Sequence, residues 1–455
     1  MVQKRIPTEL GTENIGKLLM KYAMPAIVAM VASSLYNIVD SIFIGHGVGS
    51  LAISALAITF PFMNLAAAFG SMIGVGASTL MSVRLGQKDY ATAKVILGNV
   101  VTMNATLGIL FTFFGLIFLD PILLFFGASS ETLPYAHDFM FIILCGNIVT
   151  HMYFGLNALL RSTGMPEKAM LATILSVIIN VCLNPFFIFV LKLGVRGSAL
   201  ATVISQVVTL CWQLHLFSNK NSFIHFQRGI YKLRKSIVID SVSIGLSPFL
   251  MNAASCLIII LINLGLKKFG GDMAIGAFGI VNRVTFVFVM IVMGFNQGMQ
   301  PIAGYNFGAK LYPRVTKVLK ITIVCATIVT TLGFFLGELF PRAVSMIFTT
   351  DEVLISQSVI GLRITFITFP IIGFQMVTGN FFQSIGMAKK AIFLSLTRQM
   401  IFLVPALLIL PYFYQLYGIW YSMPLSDLLA TVTSGTMLFL QFRQFRLKAN
   451  SIKQI

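Results

Sequence analysis

Long apolar runs separated by short polar turns set the pattern of this chain. From Ser41 to Val83 there is no Asp, Glu, Lys or Arg, enough for the end of one helix, a turn at Gly45–Ser50 and a second helix. Other uncharged runs are Val95–Leu119, Phe139–Leu160, Ala169–Leu191, Gly197–Asn219, Ser241–Leu266, Val284–Ala309, Ile321–Gly337 and Gln399–Ser426. About 20 apolar residues, at about 1.5 Å each, cross the hydrocarbon core of a bilayer. The runs therefore predict about twelve transmembrane helices, near 18–45, 52–83, 91–118, 134–160, 168–190, 196–216, 237–265, 276–305, 313–337, 357–384, 390–412 and 417–442.

Composition agrees with the bilayer as solvent. Of 455 residues, 57% are hydrophobic and only 10% charged, against roughly 25% charged in a soluble domain. The net charge of +18 would suggest nucleic acid in a soluble protein, but its distribution gives another source. The connections on one side hold 24 of the 32 Lys and Arg, and the alternate connections hold five: Lys192, Arg196, Lys267, Lys268 and Arg342. Arg283, Arg363 and Arg398 complete the count from within spans. This asymmetry places both termini in the cytoplasm and demands an even number of helices. It leaves no basic stripe for nucleic acid. The first apolar stretch reads as a retained helix and not as a cleavable signal. The five cysteines lie in apolar stretches, with no CxxC and no Cys/His cluster, so neither a disulfide framework nor a metal site is expected.

The halves resemble each other at a fixed offset. Leu51-Ala-Ile-Ser-Ala55 matches Met273-Ala-Ile-Gly-Ala277; Gly86, Lys88 and Tyr90 match Gly308, Lys310 and Tyr312; Ser162-Thr-Gly-Met165 matches Ser384-Ile-Gly-Met387. All three matches share one offset, that from Leu51 to Met273, and Gly194 and Ser198 match Gly418 and Ser422 at nearly the same one. The fold class expected is all-α and integral to the membrane, with an N-lobe over 1–219, a basic cytoplasmic linker over 220–236 and a C-lobe over 237–455. Each lobe has six helices, an even number, so the repeats share one orientation, as in many secondary transporters.

Two carboxylates fall well inside predicted spans, Asp40 and Asp427. Intramembrane carboxylates are costly and mark function. Asp40 lies about five residues, or roughly 8 Å, from the outer end of the first helix, with Tyr36 and Asn37 one turn back as cavity-lining candidates. Pro25, lower in that helix, removes a backbone donor and can kink it. Depth arithmetic puts Asn180 and Asn184 of the fifth helix and Thr202 of the sixth near the level of Asp40, a candidate coupling-ion set. A carboxylate in such a place can load a proton on one side and release it on the other. Asp427 and Arg398 read as an ion pair in the C-lobe. No residues converge as an enzyme active site would require, so a non-enzymatic protein is expected.

Tyr36-Asn-Ile-Val-Asp-Ser-Ile-Phe-Ile-Gly45 after Pro25, Gly86-Gln-Lys-Asp-Tyr90, Arg161-Ser-Thr-Gly-Met-Pro166, Asn180-Val-Cys-Leu-Asn-Pro185 and Gly194-Val-Arg-Gly-Ser-Ala199 resemble, in combination and over nearly the whole chain, the multidrug and toxic compound extrusion (MATE) family, most similar to its bacterial DinF/MepA-like branch. The resemblance implies two six-helix lobes and export of amphipathic, often cationic compounds across the bacterial cytoplasmic membrane in exchange for H+ or Na+. It matches Asp40, Asn180 and Thr202 to family site positions. The chain departs at Asn184, where several relatives carry a second Asp, and has no carboxylate in Cys256–Leu264. Both departures favour proton over sodium coupling, with Na+ as the alternative ion at the Asp40 cluster. No cofactor is expected. The expected partners are small amphipathic substrates and membrane lipid, for a monomer. The competing reading is a flippase for lipid-linked precursors, which would need cationic residues lining its cavity.

Overall fold

The computed structural model describes residues 8–453, with the side chains at 37, 38, 50, 272 and 448–453 outside that description. Among the described residues there is helix and no strand. The first half runs α1 (Ile15–Gly47), α2 (Ser50–Gly86), α3 (Tyr90–Ile117), α4 (Leu133–Cys145), α5 (Asn147–Ser162), α6 (Pro166–Pro185, continued by a π-helical turn over Phe186–Val190) and α7 (Val195–Ser218). The second half runs α8 (Lys235–Gly271), α9 (Met273–Gly308), α10 (Tyr312–Leu339), α11 (Glu352–Phe366), α12 (Phe369–Ser384), α13 (Ala388–Leu396, continued by a π-helical stretch over Thr397–Leu403) and α14 (Val404–Lys453).

Counting passes needs two observations. The pairs α4–α5 and α11–α12 are each bent, by 55° and 54°, and each makes one pass, which gives eleven apolar spans among the described residues. The last of these, Ala388–Leu447, is 60 residues long. As one straight helix it would reach ~90 Å, about three bilayer thicknesses. Gln415, with φ 50° and ψ −127°, breaks it, so it makes two passes and the total is twelve.

The bends differ from the continuous helices expected at 134–160 and 357–384. Gly146 sits where a Cβ would come within 2.5 Å of Val203 Cγ2, so α7 presses against the chain at the first bend. Pro370, in the first turn of α12, lacks the N–H that would tie it back into α11. The bend positions, Gly146 and Thr368, are related by the offset of the sequence repeat. The same offset relates backbone positions of positive φ: Gly49 and Gly271, Lys88 and Lys310, Gly164 and Gly386. A non-glycine residue seldom adopts this conformation. Lysines holding it at φ 61° and 59° in equivalent turns mark one backbone plan used twice.

Packing divides the chain into two units, one of Met1–Thr12 with Val28–Phe249 and one of Glu13–Ile27 with Leu250–Ile455. The division falls inside α1 and inside α8, at repeat-equivalent positions, and not at the linker over 220–236. The reason is local. In the first unit, Gly76 of α2 lies where a Cβ would come 1.8 Å from Ser241 O, and Gly245 of α8 where one would come 1.9 Å from Met72 O. In the second unit, Gly298 of α9 seats against the backbone of Ala23, where a Cβ would come 2.6 Å from its Cα. Small residues let helix backbones approach this closely. The start of α8 is thereby held to α2, and the start of α1 to α9. The linker is held too: Asn99 of α3 donates to the carbonyls of Ile230 and Lys232, both at 3.1 Å, and accepts the Arg234 N–H at 2.8 Å.

Candidate functional site

Three helices of the first unit each bring two polar residues one turn apart onto one face: Tyr36 and Asp40 on α1, Asn180 and Asn184 on α6, Ser198 and Thr202 on α7. α6 and α7 reach each other through a tight turn, with Leu193 N–H bonded to Phe187 O at 3.0 Å and Gly194 at φ 59°. Gly197 then lies where a Cβ would come 3.0 Å from the Phe187 backbone.

The six residues form two layers. In the outer one, the Asp40 carboxylate takes a hydrogen bond from Asn184 Nδ2 and another from Ser198 Oγ at 2.8 Å, both on Oδ1. In the inner one, Asn180 Nδ2 donates to Thr202 Oγ1 at 3.0 Å and to Tyr36 Oη at 3.3 Å, and the two hydroxyls lie 3.0 Å apart. Asn184 Nδ2 and Asn180 Oδ1, at 3.5 Å, join the layers. Asn180 is 2% exposed, and Asn184 and Ser198 are fully buried. Asn184 Oδ1 is buried with no hydrogen-bond partner.

Both groups bonded to Asp40 are neutral donors. Burial disfavours the charged form of a carboxylate and such donors favour it. The carboxylate is thus held through neutral groups alone in a partly buried polar site.

The structure thus brings together Asp40, Asn180, Asn184, Thr202 and Tyr36. The side chain of Asn37 lies outside the described residues. Pro25 sits inside the unbroken α1, two residues before the point where that helix passes from one packing unit to the other. Asp427 is 2% exposed and pairs with Arg398, Nε to Oδ1 at 2.6 Å, with Thr368 Oγ1 3.4 Å from Oδ2. Sequence reasoning missed Ser198 as a member of the site. Its only signal was its place four residues before Thr202, in a motif read as part of the repeat. Among the described residues, no three or more His, Cys, Asp and Glu gather as they would around a metal ion.

Twelve helical passes in two repeated units, with a hydrogen-bonded carboxylate inside one of them, define a polytopic membrane protein of the secondary-transporter kind. The MatE family model matches residues 25–186 and 248–408, once in each half; the chain belongs to the MatE family. It is 27% identical over 429 residues to the multidrug export protein MepA of Staphylococcus haemolyticus, covering 94% of both chains, and 27% identical over 432 residues to MepA of Staphylococcus aureus, covering 93% of both. Among solved structures, it is similar to the MATE multidrug transporter DinF-BH, at 36% identity and TM-score 0.89, covering 96% of this chain and 98% of that one. An outward-facing multidrug resistance MATE family transporter of the MOP superfamily shares the fold, with TM-score 0.92 at 22% identity over 97% of this chain and 99% of that one.

Proposed function

We propose that the chain is a proton-coupled antiporter that exports amphipathic, often cationic compounds across the bacterial cytoplasmic membrane by alternating access. The observation that carries this reading is the environment of Asp40. It is the one carboxylate of the first unit's polar cluster, bonded only through neutral groups, beside Tyr36 and two buried asparagines. One carboxylate held this way exchanges one proton without needing a compensating metal. Multidrug export is what the name of MepA states, and multidrug transport what that of DinF-BH states, for those relatives, and family membership supports carrying export here. Asn184, in place of a second carboxylate, supports H+ over Na+.

A specific observation favours a second reading of the coupling ion. Asn184 Oδ1, buried without a partner, together with Asp40, Asn180 Oδ1 and Thr202 Oγ1, offers the several oxygen ligands that Na+ prefers. The flippase reading fares worse, because Arg398, one of the three arginines within spans, is neutralised by Asp427.

The test uses purified protein in liposomes loaded with a fluorescent cationic drug, under a proton or a sodium gradient imposed separately. Proton-driven movement in wild type, lost by at least about a hundredfold in Asp40→Asn at equal insertion, is expected. Normal transport by Asp40→Asn would sink the role given to Asp40. Movement driven by sodium alone would assign the cluster to Na+, and none under either gradient would favour the flippase.

A further inference from the structure

Arg363 of α11 is a charge with no counter-charge among the described residues. It lies six residues inside the span predicted from residue 357, roughly 9 Å below its outer end, and its side chain is exposed. The acids at the outer start of α11 are engaged elsewhere: Asp351 caps the helix, accepting the Val353 N–H at 2.8 Å, and Glu352 pairs with Arg342 at 2.9 Å. Arg398 of the same unit has Asp427. An unmatched guanidinium at membrane depth is costly and marks function.

One turn further in, at the bend between α11 and α12, lies a cavity of about 500 Å³. Ile367, Pro370 and Ile371 line one side of it, and Pro424, Leu425 and Leu428 of α14 the other. Thr368 lines it too, but its hydroxyl is engaged with Asp427 Oδ2, at 3.4 Å, so the walls present hydrocarbon. Ile367, Leu425 and Leu428 are exposed, which leaves the cavity open at its side. The first unit has the equivalent bend, but the residue equivalent to Arg363 there is Phe141. The cation belongs to the second unit's bend alone.

We propose that this groove binds an anionic phospholipid of the outer leaflet, with the phosphate on Arg363 and an acyl chain in the cavity beneath. The order of the two chemistries is the one that depth requires, with charge nearer the headgroups and hydrocarbon one turn further in. An arginine stem lies along apolar surface while its guanidinium reaches toward the interface, where it holds a phosphate through two parallel N–H bonds. An anionic headgroup answers the unmatched charge; a zwitterionic one carries its own ammonium. The site is independent of which ion Asp40 couples.

Native mass spectrometry of the delipidated full-length protein, titrated with phosphatidylglycerol or phosphatidylethanolamine, reads the affinity for each. Wild type is expected to hold one phosphatidylglycerol about tenfold more tightly than phosphatidylethanolamine. Arg363→Gln should lose that preference and Arg363→Lys, which keeps the charge, should retain it. Leu428→Trp, which fills the cavity and leaves the arginine, should weaken the bound lipid about tenfold. Arg283→Gln, at an exposed arginine of α9 within a span, should behave as wild type. Phosphatidylglycerol should raise the melting temperature of wild type and Arg283→Gln but not of Arg363→Gln. Equal affinity of wild type for the two lipids overturns the proposal, as does a preference that survives Arg363→Gln or is lost equally in Arg283→Gln. Undiminished binding by Leu428→Trp also overturns it, because the acyl chain would then lie elsewhere.

Discussion

By the offset of the repeat, Tyr36 and Asp40 of α1 correspond to Ile258 and Ile262 of α8, and Asn180 and Asn184 of α6 correspond to Phe402 and Ala406. The two units thus build one backbone plan around different chemistry. In the second unit, Ile258 and Ile262, 6% and 3% exposed, join Leu266, Leu403, Leu407, Ile419 and Trp420 in a continuous apolar core. In hydrocarbon such side chains gain by close packing and not by leaving water. In the first unit the same positions carry a carboxylate, a phenol and two amides, which gain little by burial and must satisfy one another. The second unit shows that the fold stands without this cluster. What the cluster adds is chemistry. The carboxylate that the second unit buries, Asp427, is matched to a cation, Arg398, and Asp40 is not.

The sharpest way to break the comparison is to move the carboxylate. Ile262→Asp would put an acid into the apolar core of the second unit with none of the donors that surround Asp40. An unpaired buried polar group of this kind costs several kcal/mol. The expected outcome is a large loss of monodisperse protein in fluorescence-detected size-exclusion chromatography. Asp40→Asn, which keeps the shape of its site, should elute as wild type. An Ile262→Asp protein as stable as wild type would show that the second unit has room for water or a cation at that position.

A smaller effect separates the two native carboxylates. Asp427→Asn leaves Arg398 without its counter-charge. Fully buried pairs lose about 3–5 kcal/mol when one partner is removed. The Arg398 side chain is 31% exposed, so solvent screens part of the loss and about 1–3 kcal/mol is expected. Proton-driven transport should persist, in contrast to Asp40→Asn, and Arg398→Gln added to Asp427→Asn should recover part of the stability. Melting curves in detergent and liposome efflux on the same preparations read the two quantities. Loss of coupling in Asp427→Asn at unchanged melting temperature would move Asp427 from a structural to a coupling role.

The difference between the units also marks what the sequence makes legible. Spans and orientation are readable because a charge in hydrocarbon is expensive and a loop lysine is not, so the 32 basic residues record the topology almost unaided. The level of Asp40, Asn180, Asn184 and Thr202 follows from counting residues at a fixed rise. Ser198 lies at the same level but passes unnoticed, because helical serines usually bond to their own backbone and nothing in the chain says which one will not. The bends at Gly146 and Thr368 depend on how α7 and Pro370 pack, which periodicity does not encode. For the same reason the assignment of Glu13–Ile27 to the second unit is invisible: an uninterrupted apolar helix carries no mark of which neighbour each of its turns will touch. A glycine such as Gly76 or Gly298 announces a close approach without naming the partner.

The smallest difference between the repeats lies at a cytoplasmic turn. Asp89 caps α3, its Oδ1 accepting the Thr92 N–H at 3.1 Å, with φ −79° and ψ 71°. Its repeat equivalent, Leu311, caps α10 with nearly the same backbone, φ −84° and ψ 61°, and no side-chain bond. Hydrogen bonding to the Thr92 side chain holds the Asp89 carboxyl below its ordinary range; burial, the next-largest influence, opposes it, and the Thr92 N–H, Arg84 and Arg234 add smaller lowering effects. A carboxylate depressed in the folded state stabilises above its unfolded pKa, about 4, and that contribution is lost as pH falls through the folded value. Asp89→Ala should therefore cost about 1 kcal/mol at pH 7, and melting temperatures of mutant and wild type should converge as the pH is lowered past about 4. Leu311→Asp should do the reverse, gaining about 0.5–1 kcal/mol at pH 7 because the backbone is already set and Leu311 is 38% exposed, so little apolar burial is given up. If Leu311→Asp gains nothing while Asp89→Ala still costs about 1 kcal/mol, the cap geometry is not the source. The stabilisation at Asp89 would then belong to its cationic neighbours, of which Arg84 stands 3.6 Å away, and raising the salt concentration should erase it.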